Sequence, residues 1–202
     1  MAAVYDGYVS QYINRRISGP IAKLLTRTRI TPNQISWAAF ILAALSFLGF
    51  TYNWNIAGGL LAQLSSIIDG VDGSLARLKS MSSTFGGFLD SILDRYADIL
   101  IILGLTIWTA SNEVYPYIWL AGFVSVTGTI GVSYSRARIS AEFQHYFDRG
   151  FLSLASRDIR LFIVMIGAII GQGYFCLITI AALTHLIIIS RLIFAYRHRH
   201  LR

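Results

Sequence analysis

The sequence predicts an all-α integral membrane protein in which six transmembrane helices follow an amphipathic helix on the membrane surface. Of its 202 residues, 55% are hydrophobic and only 13% are charged, which is too apolar for a soluble domain of this size. Long apolar stretches recur along the chain, and the basic residues are confined to alternate connections between them. These observations together indicate a multi-pass membrane protein.

Six apolar stretches come close to the ~20 residues that an α-helix needs to cross the hydrocarbon layer. They cover residues 33–53, 54–76, 84–110, 114–136, 157–173 and 174–196. The first has a clear start, with Thr31 as helix N-cap, Pro32 in the first helical position and Gln34 three residues after the cap. We therefore divide the chain into a juxtamembrane segment, residues 1–30, and a membrane domain, residues 31–202.

The juxtamembrane segment is predicted to contain the amphipathic helix, over residues 5–28. Its apolar side chains recur at helical spacing, and its basic ones lie mostly on other faces. The apolar set is Tyr8, Tyr12, Ile13, Ile17, Ile21, Leu24 and Leu25. Gly19 and Pro20 predict an interruption or a kink. A helix of this kind lies on the membrane surface as an anchor.

The distribution of Lys and Arg predicts how the protein is oriented. The connections near residues 52–55, 110–115 and 171–174 contain none of its 17 basic residues. With six spans, this bias places both termini and all basic loops in the cytoplasm, and we expect a plasma-membrane location. The net charge of +7 lies on that face, so its expected partners are lipid headgroups or phosphorylated substrates, and no nucleic acid.

Four aspartates lie where hydrocarbon would otherwise surround them. Asp69 and Asp72 are three residues apart, and Asp90 and Asp94 are four apart, so each pair projects from one face of its helix. Two antiparallel helices would bring the four carboxylates together, and charges buried in a membrane need compensation. Oxygen ligands without His or Cys favour Mg²⁺ or Mn²⁺, and two ions about 3.5 to 4 Å apart would clamp a diphosphate.

Glycines accompany the aspartates along both helices. Gly86 precedes Asp90 by one turn, and Gly73 follows Asp69 by one turn, with Arg77 one turn further on. Glycine leaves room beside the acids, and the Arg77 guanidinium offers a fork of donors for phosphate oxygens. The pattern predicts a pocket for a substrate that contains phosphate.

These residues carry a family resemblance. The chain reads Asp69-Gly-Val-Asp-Gly-Ser-Leu-Ala-Arg, then eight residues to Gly86, three to Asp90 and three to Asp94. This pattern resembles the signature of the CDP-alcohol phosphatidyltransferases, which move a phosphoalcohol from a CDP-alcohol to a hydroxyl and release CMP. All eight signature positions match. The resemblance implies a bundle of six membrane helices after a surface helix, usually in a homodimer, and a transferase activity.

The resemblance also implies a role for each signature residue. Asp69, Asp72 and Asp90 would bind the metal ions, and Asp94 would take the proton from the acceptor hydroxyl while contacting the metal site. The residues implied for the CDP moiety are Asn33, Ser36, Gly73, Ala76, Arg77 and Gly86.

Basic residues at the helix ends are candidates for binding a phosphate on the acceptor. Family members that use inositol phosphate hold its phosphate at similar positions, and the candidates here are Arg136, Arg138, Arg157 and Arg191. Arg136 stands in a still apolar helix, which predicts that it faces inward. Such arginines are equally typical of topology signals and headgroup contacts. Asp98, one turn past Asp94, is expected to form structural hydrogen bonds and to bind no metal.

Further stretches narrow the resemblance. Residues 6–10, 14–18 and 156–160 resemble the membrane half of di-myo-inositol phosphate phosphate synthases. Those enzymes join CDP-inositol to inositol 1-phosphate, which gives a precursor of a compatible solute. They often follow a cytidylyltransferase domain, so a fused or separate cytidylyltransferase is an expected partner, besides membrane lipids.

Two other functions stay open on sequence grounds. One is phospholipid biosynthesis from CDP-diacylglycerol with inositol phosphate or glycerol phosphate. The more remote one is a cation transporter, which would need acidic residues on several helices across the bilayer.

Overall fold

The computed structural model describes residues 14–138 and 154–197, and within these ranges the regular structure is helical. Seven helices follow one another: α1 Arg15–Leu25, α2 Pro32–Thr51, α3 Asn55–Leu78, α4 Thr84–Asn112, α5 Ile118–Arg138, α6 Arg157–Ile170 and α7 Gly173–Arg197. The six apolar stretches correspond to α2 to α7, and the all-α prediction is confirmed. The start of α5 differs most, since it was predicted at residue 114 and is observed at Ile118.

Three of the described helices, α2, α5 and α7, are long and apolar enough to cross a membrane. Helix α6 has 14 residues, which span only ~21 Å at 1.5 Å per residue, less than the hydrocarbon thickness of ~30 Å. Helices α3 and α4 are longer, with 24 and 29 residues, but contain the charged residues discussed below. The six crossings remain a prediction.

Helix α1 covers the second half of the predicted surface helix, and residues 5–13 of that prediction lie outside the described residues. An interruption at Gly19 and Pro20 is wrong, because α1 continues through Pro20, while the alternative of a kink stays a prediction. Proline removes only one backbone donor from the helix. Ser18 and Ala22, on either side of Pro20, are buried, so packing against the bundle supports the helix at this position. Ile17 and Leu24 of α1 are exposed, and the surface role of this helix remains a prediction.

Helix α2 begins where the sequence predicts. The Thr31 hydroxyl accepts the backbone N–H of Gln34, and the Gln34 side chain accepts the backbone N–H of Thr31 at 2.9 Å. This capping box satisfies donors that the first turn leaves free. Lys79, at the end of α3, donates to the carbonyls of Thr28 and Ile30, both at 2.8 Å. The start of α2 is therefore held against the end of α3.

The helices pack in a defined order around a common core. Helix α2 contacts both α3 and α4, α5 contacts α4 and α7, and α6 contacts α3 and α7. The centre is filled by fully buried side chains, among them Phe50, Ile101, Leu105, Leu177 and Ile180. Serine hydroxyls also donate to carbonyls of neighbouring helices, from Ser46 to Gly58, from Ser65 to Ala39 and from Ser125 to Leu177. Such bonds are common between membrane helices.

The bundle has two distinct ends. At one end Glu113 follows α4 and accepts the backbone N–H groups of Gly173 and Tyr174, at 2.6 and 3.2 Å. Its carboxylate thereby caps the start of α7. At the opposite end α2, α4 and α6 begin and α3 ends. We call it the basic end, because the connections that contain Lys and Arg lie there.

Gly104 tests the close packing of α2 on α4. A Cβ atom there would lie 2.9 Å from the Cα of Phe47 and 3.1 Å from its carbonyl oxygen, so the backbones would have to separate. We expect Gly104→Ala to lower the free energy of unfolding by ~1 to 3 kcal/mol, as overpacking does. Gly19→Ala in α1 is the matched control, because no atom lies within 4 Å of its added Cβ. Thermal unfolding in detergent measures both, and equal midpoints would contradict the packing.

Candidate functional site

The predicted acidic residues come together at the basic end. Asp69, Asp72 and Asp90 each offer a carboxylate oxygen, and these three oxygens lie within 4.8 Å of one another. Asp72 is buried and the other two are partly buried. Like charges at this distance repel one another unless a cation lies between them. We call these three residues the acidic triad.

The acidic triad fits a divalent cation. Asp72 accepts hydrogen bonds from the Ser36 hydroxyl and from the backbone N–H of Gly73, which are neutral donors. The Oδ1 atom of Asp90 is buried and has no hydrogen-bond partner among the described residues. A buried carboxylate oxygen without a partner is costly. Oxygen-only ligands suit the hard ions Mg²⁺ and Mn²⁺.

Asp94, the fourth predicted metal ligand, does not belong to the acidic triad. Its Oδ1 lies 2.9 Å from Nη1 of Arg157, and its Oδ2 lies 3.7 Å from Nη2 of Arg95. The same Arg157 nitrogen lies 2.7 Å from Oδ2 of Asp69. One guanidinium therefore bridges Asp94 and the acidic triad, and metal binding by Asp94 stays a prediction.

Asp98 lies behind this bridge and forms the structural hydrogen bonds that were expected. It accepts from Nε of Arg157 at 3.0 Å and from Nη2 of Arg160 at 2.8 Å. Sequence reasoning proposed Arg157 as a ligand of the acceptor phosphate, but it did not identify the pairing of Arg157 and Arg160 with Asp98. The available signal was their spacing, because residues three apart at the start of a helix share one face.

A cavity of about 190 Å³ opens beside Asp72 and Asp90. All six residues implied for the CDP moiety line it, namely Asn33, Ser36, Gly73, Ala76, Arg77 and Gly86. The lining residues that the sequence did not suggest include Pro32, Met81, Ser82, Ser83 and Gly87. These residues lie in the loop between α3 and α4 and at the starts of α2 and α4.

Two glycines keep this cavity open. A Cβ atom on Gly86 would lie 3.0 Å from the Ser83 hydroxyl and 3.2 Å from the Asn33 side-chain oxygen. A Cβ atom on Gly73 would lie 3.6 Å from Nη1 of Arg77, so that guanidinium extends alongside the glycine. The absence of side chains at Gly73 and Gly86 leaves room for a ligand between the helix backbones and the polar side chains of Asn33, Arg77 and Ser83.

Of the four arginines proposed for the acceptor phosphate, Arg157 contacts Asp69, Asp94 and Asp98 in the part of the chain that the structure describes. Arg191 is buried elsewhere, and its Nη1 donates to the Val132 carbonyl at 2.8 Å and to the Ser135 hydroxyl at 2.9 Å. Arg138 is exposed and lies over the Tyr134 ring at 5.7 Å.

The expectation that Arg136 faces inward is wrong, because Arg136 is exposed in the last turn of α5. The Arg191 guanidinium occupies the neighbouring inward space. Acceptor binding by Arg136, Arg138 and Arg191 remains a prediction.

Comparison with known proteins supports the resemblance found in the sequence. Residues 29–197 match the family model described as CDP-alcohol phosphatidyltransferase. A protein of Rubrobacter xylanophilus named bifunctional IPC transferase and DIPP synthase is 39% identical over 96% of this chain, which covers 44% of that relative. Archaetidylinositol phosphate synthase of Pyrococcus horikoshii is 30% identical over 85% of this chain and 86% of its own length.

Solved structures show the same fold. The phosphatidylinositol phosphate synthase of Mycobacterium tuberculosis, crystallised with manganese and citrate, aligns with a TM-score of 0.72 and 26% identity over 87% of both chains. The same enzyme crystallised with CDP-DAG aligns at 25% identity with the same TM-score. The predicted family is confirmed. The chain spans less than half the length of the bifunctional relatives that it matches.

Asp90 tests whether the acidic triad holds a metal ion. Asp90→Asn removes one negative charge and one ligand oxygen, so we expect Mn²⁺ affinity to fall at least about tenfold, which is ~1.4 kcal/mol. Glu113→Gln is the matched control, since it removes a carboxylate at the far end of the bundle. Titration of the purified protein with Mn²⁺, followed by electron paramagnetic resonance, measures both. Equal affinities in Asp90→Asn and the control would exclude Asp90 as a ligand.

Proposed function

We propose, because the chain belongs to the CDP-alcohol phosphatidyltransferase family, that it transfers a phosphoalcohol from a CDP-alcohol to an acceptor hydroxyl and releases CMP. The observation that carries this proposal is the position of the cavity. It is lined by every residue implied for the CDP moiety, and two members of the acidic triad, Asp72 and Asp90, form part of its wall. The diphosphate of a bound nucleotide would therefore lie beside the metal ligands.

The metal ligands in this proposal are Asp69, Asp72, Asp90 and, at the edge, Asp94, and the ions are two Mg²⁺ or Mn²⁺. When bound, such ions neutralise phosphate charge and stabilise the departing CMP. The manganese in the crystal of the mycobacterial relative supports a divalent ion. Ser36 orients the Asp72 carboxylate from α2, so the triad is supported by a third helix.

The nucleotide is held by groups of three helices. Asn33 and Ser36 offer polar atoms from α2, while Gly73 and Gly86 allow the ligand to approach the backbones of α3 and α4. Arg77 donates to phosphate oxygens, for which the guanidinium fork is well shaped. These contacts fix the donor with its diphosphate beside Asp72 and Asp90.

Asp94 is the proposed general base. It lies outside the acidic triad, so its carboxylate can accept the proton of the attacking hydroxyl. Arg157 is the proposed binding group for a phosphate on the acceptor. Its Nη1 is close to Asp69 and Asp94 but has no well-directed hydrogen bond within the described residues, so this nitrogen is able to donate to a ligand. An acceptor phosphate at Arg157 would place a neighbouring hydroxyl beside Asp94.

The preferred substrates are CDP-inositol and inositol 1-phosphate, which would give di-myo-inositol phosphate phosphate. Two relatives named bifunctional IPC transferase and DIPP synthase, from Thermococcus kodakarensis and Rubrobacter xylanophilus, are 38% and 39% identical to this chain. In this proposal a cytidylyltransferase, fused or separate, supplies the CDP-alcohol. The product would be a precursor of a compatible solute.

Phospholipid synthesis is the second candidate, and a specific observation favours it. The archaetidylinositol phosphate synthase of Pyrococcus horikoshii matches over 86% of its length, whereas the bifunctional relatives match over less than half of theirs. The mycobacterial synthase was also crystallised with CDP-DAG. The donor here would then be CDP-diacylglycerol or a similar lipid, with inositol phosphate or glycerol phosphate as acceptor.

The cellular arrangement completes the proposal. Residues 1–30 form a juxtamembrane segment at the cytoplasmic surface, and residues 31–202 form a multi-pass domain in the plasma membrane. The basic end faces the cytoplasm, because basic connections stay on that side. The protein acts as a homodimer among membrane lipids.

CMP release tests the reaction and separates the two donors. Purified protein with Mn²⁺ or Mg²⁺ receives inositol 1-phosphate and either CDP-inositol or CDP-diacylglycerol, and CMP is quantified by chromatography. We expect CMP with CDP-inositol, and omission of the metal or the acceptor should abolish it. Release of CMP from CDP-diacylglycerol but not from CDP-inositol, with inositol 1-phosphate present in both assays, would favour phospholipid synthesis. The absence of CMP with both donors would refute the transferase proposal.

Asp94→Asn tests the general base. The amide cannot accept the proton, so turnover should fall at least about 100-fold, in the usual range for loss of a general base. Binding of the CDP-alcohol should change little, because Asp94 does not line the cavity. Isothermal titration with the CDP-alcohol and Mn²⁺ measures binding separately from turnover. Unchanged turnover would remove Asp94 from this role.

A further inference from the structure

Asp98 is a buried carboxylate whose oxygens are both occupied by arginines. It is 1% exposed, and Arg157 and Arg160 donate to its Oδ1 and Oδ2 atoms respectively. Nη1 of Arg95 lies 3.9 Å from Oδ2. A buried ion persists only when it is compensated in this way. Asp98 is therefore committed to the arginines and takes no direct part in the proposed reaction.

Arg160 holds the Asp98 side chain in place. Arg160 is 3% exposed, and its Nη1 donates to the carbonyl of Ala155 at 2.6 Å while its Nη2 bonds to Asp98. Ala155 precedes α6 and is itself fully buried. The pair thus attaches the first turn of α6 to the middle of α4.

A second attachment holds the same turn from the side of α3. The Asp158 carboxylate accepts from Nδ2 of Asn14 and from the hydroxyl of Ser66, both at 2.8 Å. Asn14 is buried at the start of α1 and also accepts from Gln63 of α3 at 2.9 Å. Because residue 157 lies in the chain between Ala155 and Asp158, which are both held by hydrogen bonds, its backbone position is set on both sides.

The remaining freedom is the rotation of the Arg157 side chain, and Asp98 restricts it. A guanidinium is planar with its donors in a fixed fork, so a bond from Nε defines the direction of the terminal nitrogens. With Nε bonded to Asp98, Nη1 lies between Asp69 and Asp94. The terminal donors are thereby directed into the proposed acceptor site.

We infer that Asp98 is a positioning residue, which together with Arg160 orients Arg157 for binding the phosphate of the acceptor. The inference rests on the proposed function and deepens it, since it adds a residue outside the eight-residue signature. Without the Asp98 carboxylate, Asp69 and Asp94 would be the remaining anionic partners of Arg157. The guanidinium would turn to form a closer, bidentate pair with one of them. The acceptor would then lose a binding group, and Asp94 would be obstructed.

The acceptor and the donor should respond differently to loss of Asp98. Neither Asp98 nor Arg157 lines the cavity for the CDP moiety. In Asp98→Asn we therefore expect the KM for inositol 1-phosphate to rise at least about tenfold, while the KM for the CDP-alcohol changes less than about twofold. A general structural defect would lower the active fraction and kcat, without this difference between the two KM values.

A double-mutant cycle tests whether Asp98 acts through Arg157. Arg157→Gln should raise the acceptor KM, and Asp98→Asn in that background should add no further increase, because the group that it orients is gone. Multiplicative effects of the two substitutions would overturn the inference. So would an unchanged acceptor KM in Asp98→Asn, or equal increases in both KM values.

The stability of the variants is measured in parallel, because Asp98→Asn leaves Arg160 buried without its counter-charge. The charge-balanced variant Asp98→Asn with Arg160→Gln avoids that cost, and it should show the same rise in acceptor KM at a near-normal midpoint of thermal unfolding. A normal acceptor KM in this variant would refute the role. Wild-type protein that releases no CMP from either donor would refute the proposed function, and active wild-type protein with unaffected variants would refute this inference alone.

Discussion

The balance of charge inside an apolar bundle is the constraint on which the rest of the structure depends. Asp98 and Asp94 face guanidinium groups, and Asp69 shares Arg157 with Asp94. Asp72 instead accepts from neutral donors, and an oxygen of Asp90 has no partner within the described ranges. The carboxylates thus divide into a side compensated by arginine and a side that needs an added cation. The cavity opens on the second side, where a metal ion and a phosphate can meet.

Helix α2 builds this second side, although it contributes no charge. Its capped first turn holds Asn33 close to Gly86 and Ser36 against Asp72. Because the helix contacts both α3 and α4, its start fixes the separation between the two acidic helices. The neutral Ser36 hydroxyl of α2 orients the Asp72 carboxylate without neutralising it. This preserves the negative charge that a divalent ion requires.

The sequence predicted those parts of the site that depend on local spacing. Residues three or four apart must share a helix face, so the faces of α3 and α4 followed directly, and the family resemblance supplied the cavity residues. The arginines were harder, because Arg136, Arg138, Arg157 and Arg191 all stand near helix ends in a basic chain. Which of them reaches the acids depends on how α6 packs against α3 and α4. Asp98 and Arg160 are 62 residues apart, and helix periodicity carries no information about such a pair.

The division of the site also bears on how relatives with one signature can use different substrates. In the proposed function the signature residues would read the parts common to every CDP-alcohol, since three of them form the acidic triad and others line the cavity. In the same proposal the acceptor would approach Asp94 from the side of Arg157, which contacts Asp98 together with Arg160. These three residues lie outside the signature, so they can change without loss of the donor site. If the proposed function holds, acceptor choice would depend on the charge and packing at the start of α6, while the chemistry of transfer would stay with α3 and α4.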